Sequence, residues 1–192
     1  MGCIESMYAF KYLSGENLEF LKSYTRYDED TIKEFHKSFI KEFPTGQLTR
    51  DKFIDLYKTF ILRGNAEQYC EHVFRTFDTD QNGVIDFEEF LLAMYVTSAG
   101  TAEEKLTWAF RMYDVDGNGT IDPDEMLKVV RAIYGMRCEE ATEPTSVADE
   151  RARKIFRRMD ENGDGQLTEE EFLRGCLEDD ELSKLLAPNV VE

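Results

Sequence analysis

Three stretches of twelve residues share one spacing of acids, and that spacing leaves the chain few folds to choose from. Asp78 to Glu89 reads D-T-D-Q-N-G-V-I-D-F-E-E, Asp114 to Glu125 reads D-V-D-G-N-G-T-I-D-P-D-E, and Asp160 to Glu171 reads D-E-N-G-D-G-Q-L-T-E-E-E. Side-chain oxygens recur at positions one, three, five, nine and twelve, and glycine at position six. A hard cation such as Ca²⁺ takes six to eight oxygens, and this spacing wraps them around one centre. Glycine at position six allows the sharp turn that the wrapping needs.

Each stretch is therefore an EF-hand loop, the turn between two helices. The ligand sets are Asp78, Asp80, Asn82, Asp86 and Glu89, then Asp114, Asp116, Asn118, Asp122 and Glu125, then Asp160, Asn162, Asp164, Thr168 and Glu171. The seventh-position carbonyls of Val84, Thr120 and Gln166 complete them. Three acids instead of four make the last loop the weakest of the three. Aligning Gly46 with position six exposes a fourth, degenerate copy: Lys41 falls at one, Phe43 at three and Lys52 at twelve. Two cations and a ring do not coordinate Ca²⁺, so this copy keeps the shape without the site.

The copies begin at 41, 78, 114 and 160. A lone hand leaves its loop strand and apolar helix faces unpaired, so hands pair through their eighth positions: Leu48 with Ile85, Ile121 with Leu167. The expected fold is all-α, two lobes of paired helix-loop-helix units with a short two-stranded β link between loops. The expected division is an N-terminal arm at 1–25, a first pair at 26–99, a second pair at 100–178, and a tail at 179–192. Ser98 to Thr101 breaks the helical pattern between the pairs. A polar linker, Glu139 to Ser146, accounts for the longest spacing, one or two short helices are expected within Tyr8 to Tyr24, and a helix over Asp180 to Ala187 closes the tail.

The formal charge of −17, from 23 basic and 40 acidic residues, argues against nucleic acid as a partner. Four scattered cysteines without a C-x-x-C pair suit a reduced, cytoplasmic protein. No signal peptide and no long apolar run is present, so membrane contact calls for an added lipid or a surface helix. The opening M-G-C-I-E-S offers one: with Met1 removed, Gly2 and Ser6 satisfy the N-myristoylation pattern. One acyl chain holds a membrane only marginally, and Cys3 is a candidate palmitoylation site for a second anchor.

Several stretches together resemble the neuronal calcium sensor family of recoverin, visinin, hippocalcin and neurocalcin. They are the M-G-x-x-x-S start, the inert first loop with Pro44 and Gly46, E-H-V-F-R-T-F-D-T from Glu71, K-L-x-W-A-F from Lys105, M-Y-D-V-D-G-N-G-T-I from Met112 and K-I-F-R-R-M-D-E-N-G-D-G from Lys154. The resemblance covers nearly the whole chain. It implies a calcium sensor whose covalent myristate leaves a pocket when Ca²⁺ binds, with Gly46 and Gly100 as swivels. It also implies a target groove lined by Tyr27, Phe35, Phe39, Phe53, Tyr57, Phe60 and Phe90; each of these taken singly reads more readily as core, while the set can serve both roles. The family's cysteine before the proline is Phe43 here, and its Trp-Tyr pair is Phe35-His36, so the groove chemistry differs.

The reading that follows is a sensor of about three Ca²⁺, with Mg²⁺ a candidate occupant at rest. It associates reversibly with membranes and regulates a signalling protein, such as a receptor kinase, cyclase or channel, through an amphipathic helix of that target. It is expected as a monomer or weak dimer. A calcium buffer and a constitutive subunit resembling the calcineurin B chain stay open as alternatives. An enzyme is not expected: His36 and His72 are the only histidines, and no nucleophile constellation or phosphate-cradling loop is present. Asp114 to Glu125 is expected to be the tightest or joint-tightest site.

Overall fold

The computed structural model describes residues 12–60, 67–137 and 145–178, apart from the side chains of residues 60, 136, 137 and 145. Gly2, Cys3 and the expected tail helix lie outside the described residues. Nine helices are described: α1 (Gly15–Tyr24), α2 (Glu29–Glu42), α3 (Arg50–Phe60), α4 (Glu67–Phe77), α5 (Phe87–Ala99), α6 (Ala102–Tyr113), α7 (Pro123–Arg137), α8 (Thr145–Met159) and α9 (Glu169–Leu177). Four two-residue strands sit between helix pairs: β1 (Leu48–Thr49), β2 (Val84–Ile85), β3 (Thr120–Ile121) and β4 (Leu167–Thr168).

Local chemistry sets the helix starts. Ser14 caps α1 by accepting from the Asn17 N–H, and Asp28 caps α2 by accepting from the Thr31 N–H. The Thr31 N–H also holds the Asp28 carboxyl below the usual range. Such caps each stabilise a helix by about 1 kcal/mol. The Tyr8 to Tyr24 stretch yields one described helix, starting only at Gly15. The last two residues of the expected linker, Thr145 and Ser146, instead open α8.

The strands pair antiparallel as β1 with β2 and β3 with β4. Leu48 faces Ile85 and Ile121 faces Leu167, the two partnerships expected from the eighth positions. All four side chains are buried, and burying each contributes on the order of 2 kcal/mol. The bridges thus fix both loop register and core.

The two sheets do not stand apart. Phe77, the last residue of α4, meets the edge of Trp108 on α6 with ring centroids 5.7 Å apart. Arg75, two residues earlier, crosses to the end of α6 and donates to the carbonyls of Met112 at 2.7 Å and Val115 at 3.0 Å. The Met112 carbonyl lies in the last turn of α6 and carries partial negative charge, a good partner for a half-buried guanidinium, and the Val115 carbonyl adds a second acceptor just beyond the helix.

Candidate metal centres

Each acid-rich loop is built by the same local device. Gly83, Gly119 and Gly165, all at position six, have φ of 85°, 88° and 81°. A Cβ disfavours that left-handed conformation by roughly 1–2 kcal/mol. The first-position aspartate fills the turn from inside: Asp114 accepts from the N–H groups of Asn118 and Gly119, both at 3.0 Å. Asp78 does the same with Asn82 and Gly83, and Asp160 with Gly163 and Gly165.

The closing glutamates are held at both ends. Glu125 accepts from Val115 and Asp116 N–H through Oε1, and from Asp122 N–H through Oε2 at 2.9 Å. Its own N–H donates to Asp122 at 2.7 Å, a capping box that starts α7. Glu89 repeats this with Thr79, Asp80 and Asp86, and Glu171 caps α9 with Thr168. All three are buried, as is Asp78. Burial raises the carboxyl pKa of Asp78 and of Glu89, whereas the Thr168 N–H lowers that of Glu171.

Among the described residues, three carboxylates converge in two places. Asp78, Asp80 and Glu89 bring ligand oxygens within 4.8 Å of one another, and so do Asp114, Asp116 and Glu125. At that separation, and an effective dielectric of about 20, two full charges repel by about 3.5 kcal/mol. All-oxygen donors in this number suit Ca²⁺. Asp160, Asp164 and Glu171 form no such group; position three of this loop holds Asn162 and the third acid stands at position five.

The degenerate loop spends its third position differently. Phe43 is buried with its ring centroid 4.9 Å from that of Phe39, so the third-position side chain serves the core. Gly46 keeps the left-handed turn with φ of 78°. The chain around Leu48 therefore still reaches β2.

The match to known proteins agrees with this geometry. Residues 44–97 and residues 103–177 each match a family model described as an EF-hand domain pair. The chain is 44% identical to neuronal calcium sensor 1 of Lymnaea stagnalis over 169 residues, covering 87% of this chain and 88% of that protein. It belongs to the neuronal calcium sensor family. Human recoverin is 39% identical over 178 residues, covering 91% of this chain and 89% of recoverin. Visinin of Gallus gallus is 33% identical over 178 residues, covering 91% and 93%.

The residues that the resemblance assigns to a groove fall into three aromatic groups among the described residues. Tyr27 meets Phe35 and Tyr95, and Phe39 meets Phe90 and Phe87. Phe53 meets Tyr57, Phe74 and Phe77. Phe39 and Phe53 are buried, Phe35 is exposed, and Tyr27, Tyr57 and Phe90 are half-buried. Phe60 ends α3, and its side chain lies outside those described. His36 packs against the edge of Phe87, and both histidines are driven towards the neutral form by burial. Two contributors escape the loop pattern: Thr79, whose hydroxyl donates to Glu89 at 3.0 Å, and Arg75. Thr79 sits at the unconstrained second position, and the contacts of Arg75 span up to 40 residues, beyond any local pattern.

No helix of the described residues is long and apolar enough to cross a membrane.

Proposed function

We propose that this protein is a calcium sensor that fills the loops at 78–89, 114–125 and 160–171 and then acts on a signalling partner at a membrane. The observation that carries the reading is the crowding of three carboxylates within 4.8 Å in two loops, each closed by a buried glutamate that also starts a helix. Bound Ca²⁺ supplies two positive charges to such a cluster. Release of Glu125 from the amides of Val115 and Asp116 moves the start of α7, and Glu89 acts likewise on α5. In sensor hands, helix movement of this kind opens apolar surface. Here the surface is the pair of aromatic groups around Phe39 and Phe53, which would take the apolar face of a target helix. A myristate on Gly2 would bring the sensor to the bilayer, with Cys3 a candidate second acyl site.

The ligand set is Asp78, Asp80, Asn82, Val84, Asp86 and Glu89; Asp114, Asp116, Asn118, Thr120, Asp122 and Glu125; Asp160, Asn162, Asp164, Gln166, Thr168 and Glu171. Two pairs of hands, 26–99 and 100–178, hold it. Titration calorimetry of Glu89→Gln, Glu125→Gln and Glu171→Gln tests the assignment. Each substitution is expected to weaken one site roughly tenfold to a hundredfold. Unchanged affinity at two or more loops contradicts it.

A further inference from the structure

Helices α5 and α6 meet at Gly100 and Thr101 and leave a cleft between them, with the end of α4 as a third wall. Its volume is about 420 Å³, within the range of roughly 300–1,000 Å³ in which small molecules bind. Spacing turns one face of each helix towards it. Glu89, Leu92 and Val96 follow one another at three and four residues on α5, and Glu104, Trp108 and Arg111 at four and three on α6. The edge-to-face pair of Phe77 and Trp108 gives the cleft an aromatic base. None of the described side chains that the resemblance assigns to a target groove lines it.

The charged groups around this apolar base are unevenly placed. Glu89 is already held, accepting from Thr79, Asp80 and Asp86. Glu103 and Glu104 stand at the joint end of α6, both exposed and in no ion pair with a described residue. Glu104 accepts the Thr101 N–H at 2.7 Å, which leaves its charge uncompensated. Arg111, the one cation of the lining, lies seven residues beyond Glu104, roughly 10 Å along the helix. Tyr24 of α1 also lines the cleft and is 66% exposed, with the Phe20 ring centroid 5.0 Å from its own. An exposed aromatic face attracts an organic cation.

A ligand for this cleft is therefore apolar in its body and positive at one end. An anion would meet two free carboxylates and a chain of charge −17, and a second copy of the chain is repelled by the same charge. We propose that the cleft between α5 and α6 binds small organic amines with an aromatic body, the rings seated on Phe77 and Trp108 and the ammonium directed to Glu103 and Glu104. Nothing in this assignment calls on bound calcium, so its test is made in chelator.

Diphenylpropylamine, with both rings on its terminal carbon, is the probe, and diphenylpropionate, with the same rings and the opposite charge, is the control. Full-length protein is titrated with each, following the indole N–H resonance of Trp108, the single tryptophan. The amine should bind with a Kd on the order of 0.1–1 mM, and its phenyl protons should show cross-relaxation with the Trp108 ring. The carboxylate should bind roughly tenfold more weakly. Glu103→Gln with Glu104→Gln should weaken the amine about tenfold, while helix content is kept because glutamine can still serve the cap at Glu104. Glu103→Gln alone, at a residue outside the cap, should weaken it about threefold. Equal binding of amine and carboxylate, an amine indifferent to both variants, or phenyl contacts to the Phe39 and Phe53 groups in place of Trp108 overturns the proposal. So does a chain that is dimeric in chelator and shows no probe contact at Trp108, since a second copy then fills the cleft.

Discussion

Position four of each acid-rich loop is left-handed, with φ of 57° at Gln81, 73° at Gly117 and 72° at Gly163. The glycines announce this conformation in two loops, while glutamine gives no sign of it in the other. Positions one, six and twelve are legible because cation chemistry and chain reversal admit few residues there. His72 shows the opposite case: its surroundings come from tertiary packing. Burial, then Arg75 and Lys128, lower its pKa from 6.5 to about 4. The folded ring binds its proton less tightly than the unfolded one, so the unfolded chain gains protons first. Stability is accordingly complete above about pH 6.5 and falls as pH drops towards 4. The loss should be on the order of 1–2 kcal/mol, after allowance for screening at a partly exposed ring. Urea unfolding in chelator, comparing wild type with His72→Gln across that range, checks it: the substitution should flatten the pH dependence.

At the scale of elements, the inert first hand keeps a structural role through β1. Leu48 still faces Ile85, so the second loop has its strand partner although the first loop carries Lys41, Phe43 and Lys52 where the others carry acids. This pairing was legible, because an alternating apolar position inside a repeated loop has one place to go. The break between α5 and α6 was legible too, but its cause was not. Gly100 has an ordinary φ of −63°, and what excludes a side chain is the Val96 carbonyl oxygen, 2.5 Å from where a Cβ would stand. Gly100 also donates to Tyr95 and Val96, closing α5. Gly100→Ala is therefore expected to destabilise the protein by about 1–3 kcal/mol through overpacking against backbone, measured by thermal melting in chelator. An unchanged melting temperature would show that α5 and α6 can part at this joint without strain.

Across the whole molecule, the aromatic residues hold the ambiguity that the sequence could not resolve. An apolar side chain reads alike whether it packs permanently or becomes exposed by a helix movement, and the structure places Phe39 and Phe53 in the core. Contacts between the two pairs of hands were equally hidden, since Arg75 and Met112 are 37 residues apart. Those contacts put the end of α4, which leads into Asp78, against the helix that leads into Asp114. Sensor and buffer differ on one point: whether filling the loops uncovers the aromatic core. Fluorescence of an apolar dye with unacylated protein, titrated with Ca²⁺ from a chelated start, measures this directly. Dye emission should rise with calcium occupancy, and the rise should be lost when Glu89, Glu125 and Glu171 are all replaced by Gln. Full calcium binding without any increase in dye emission would contradict the account and identify a buffer.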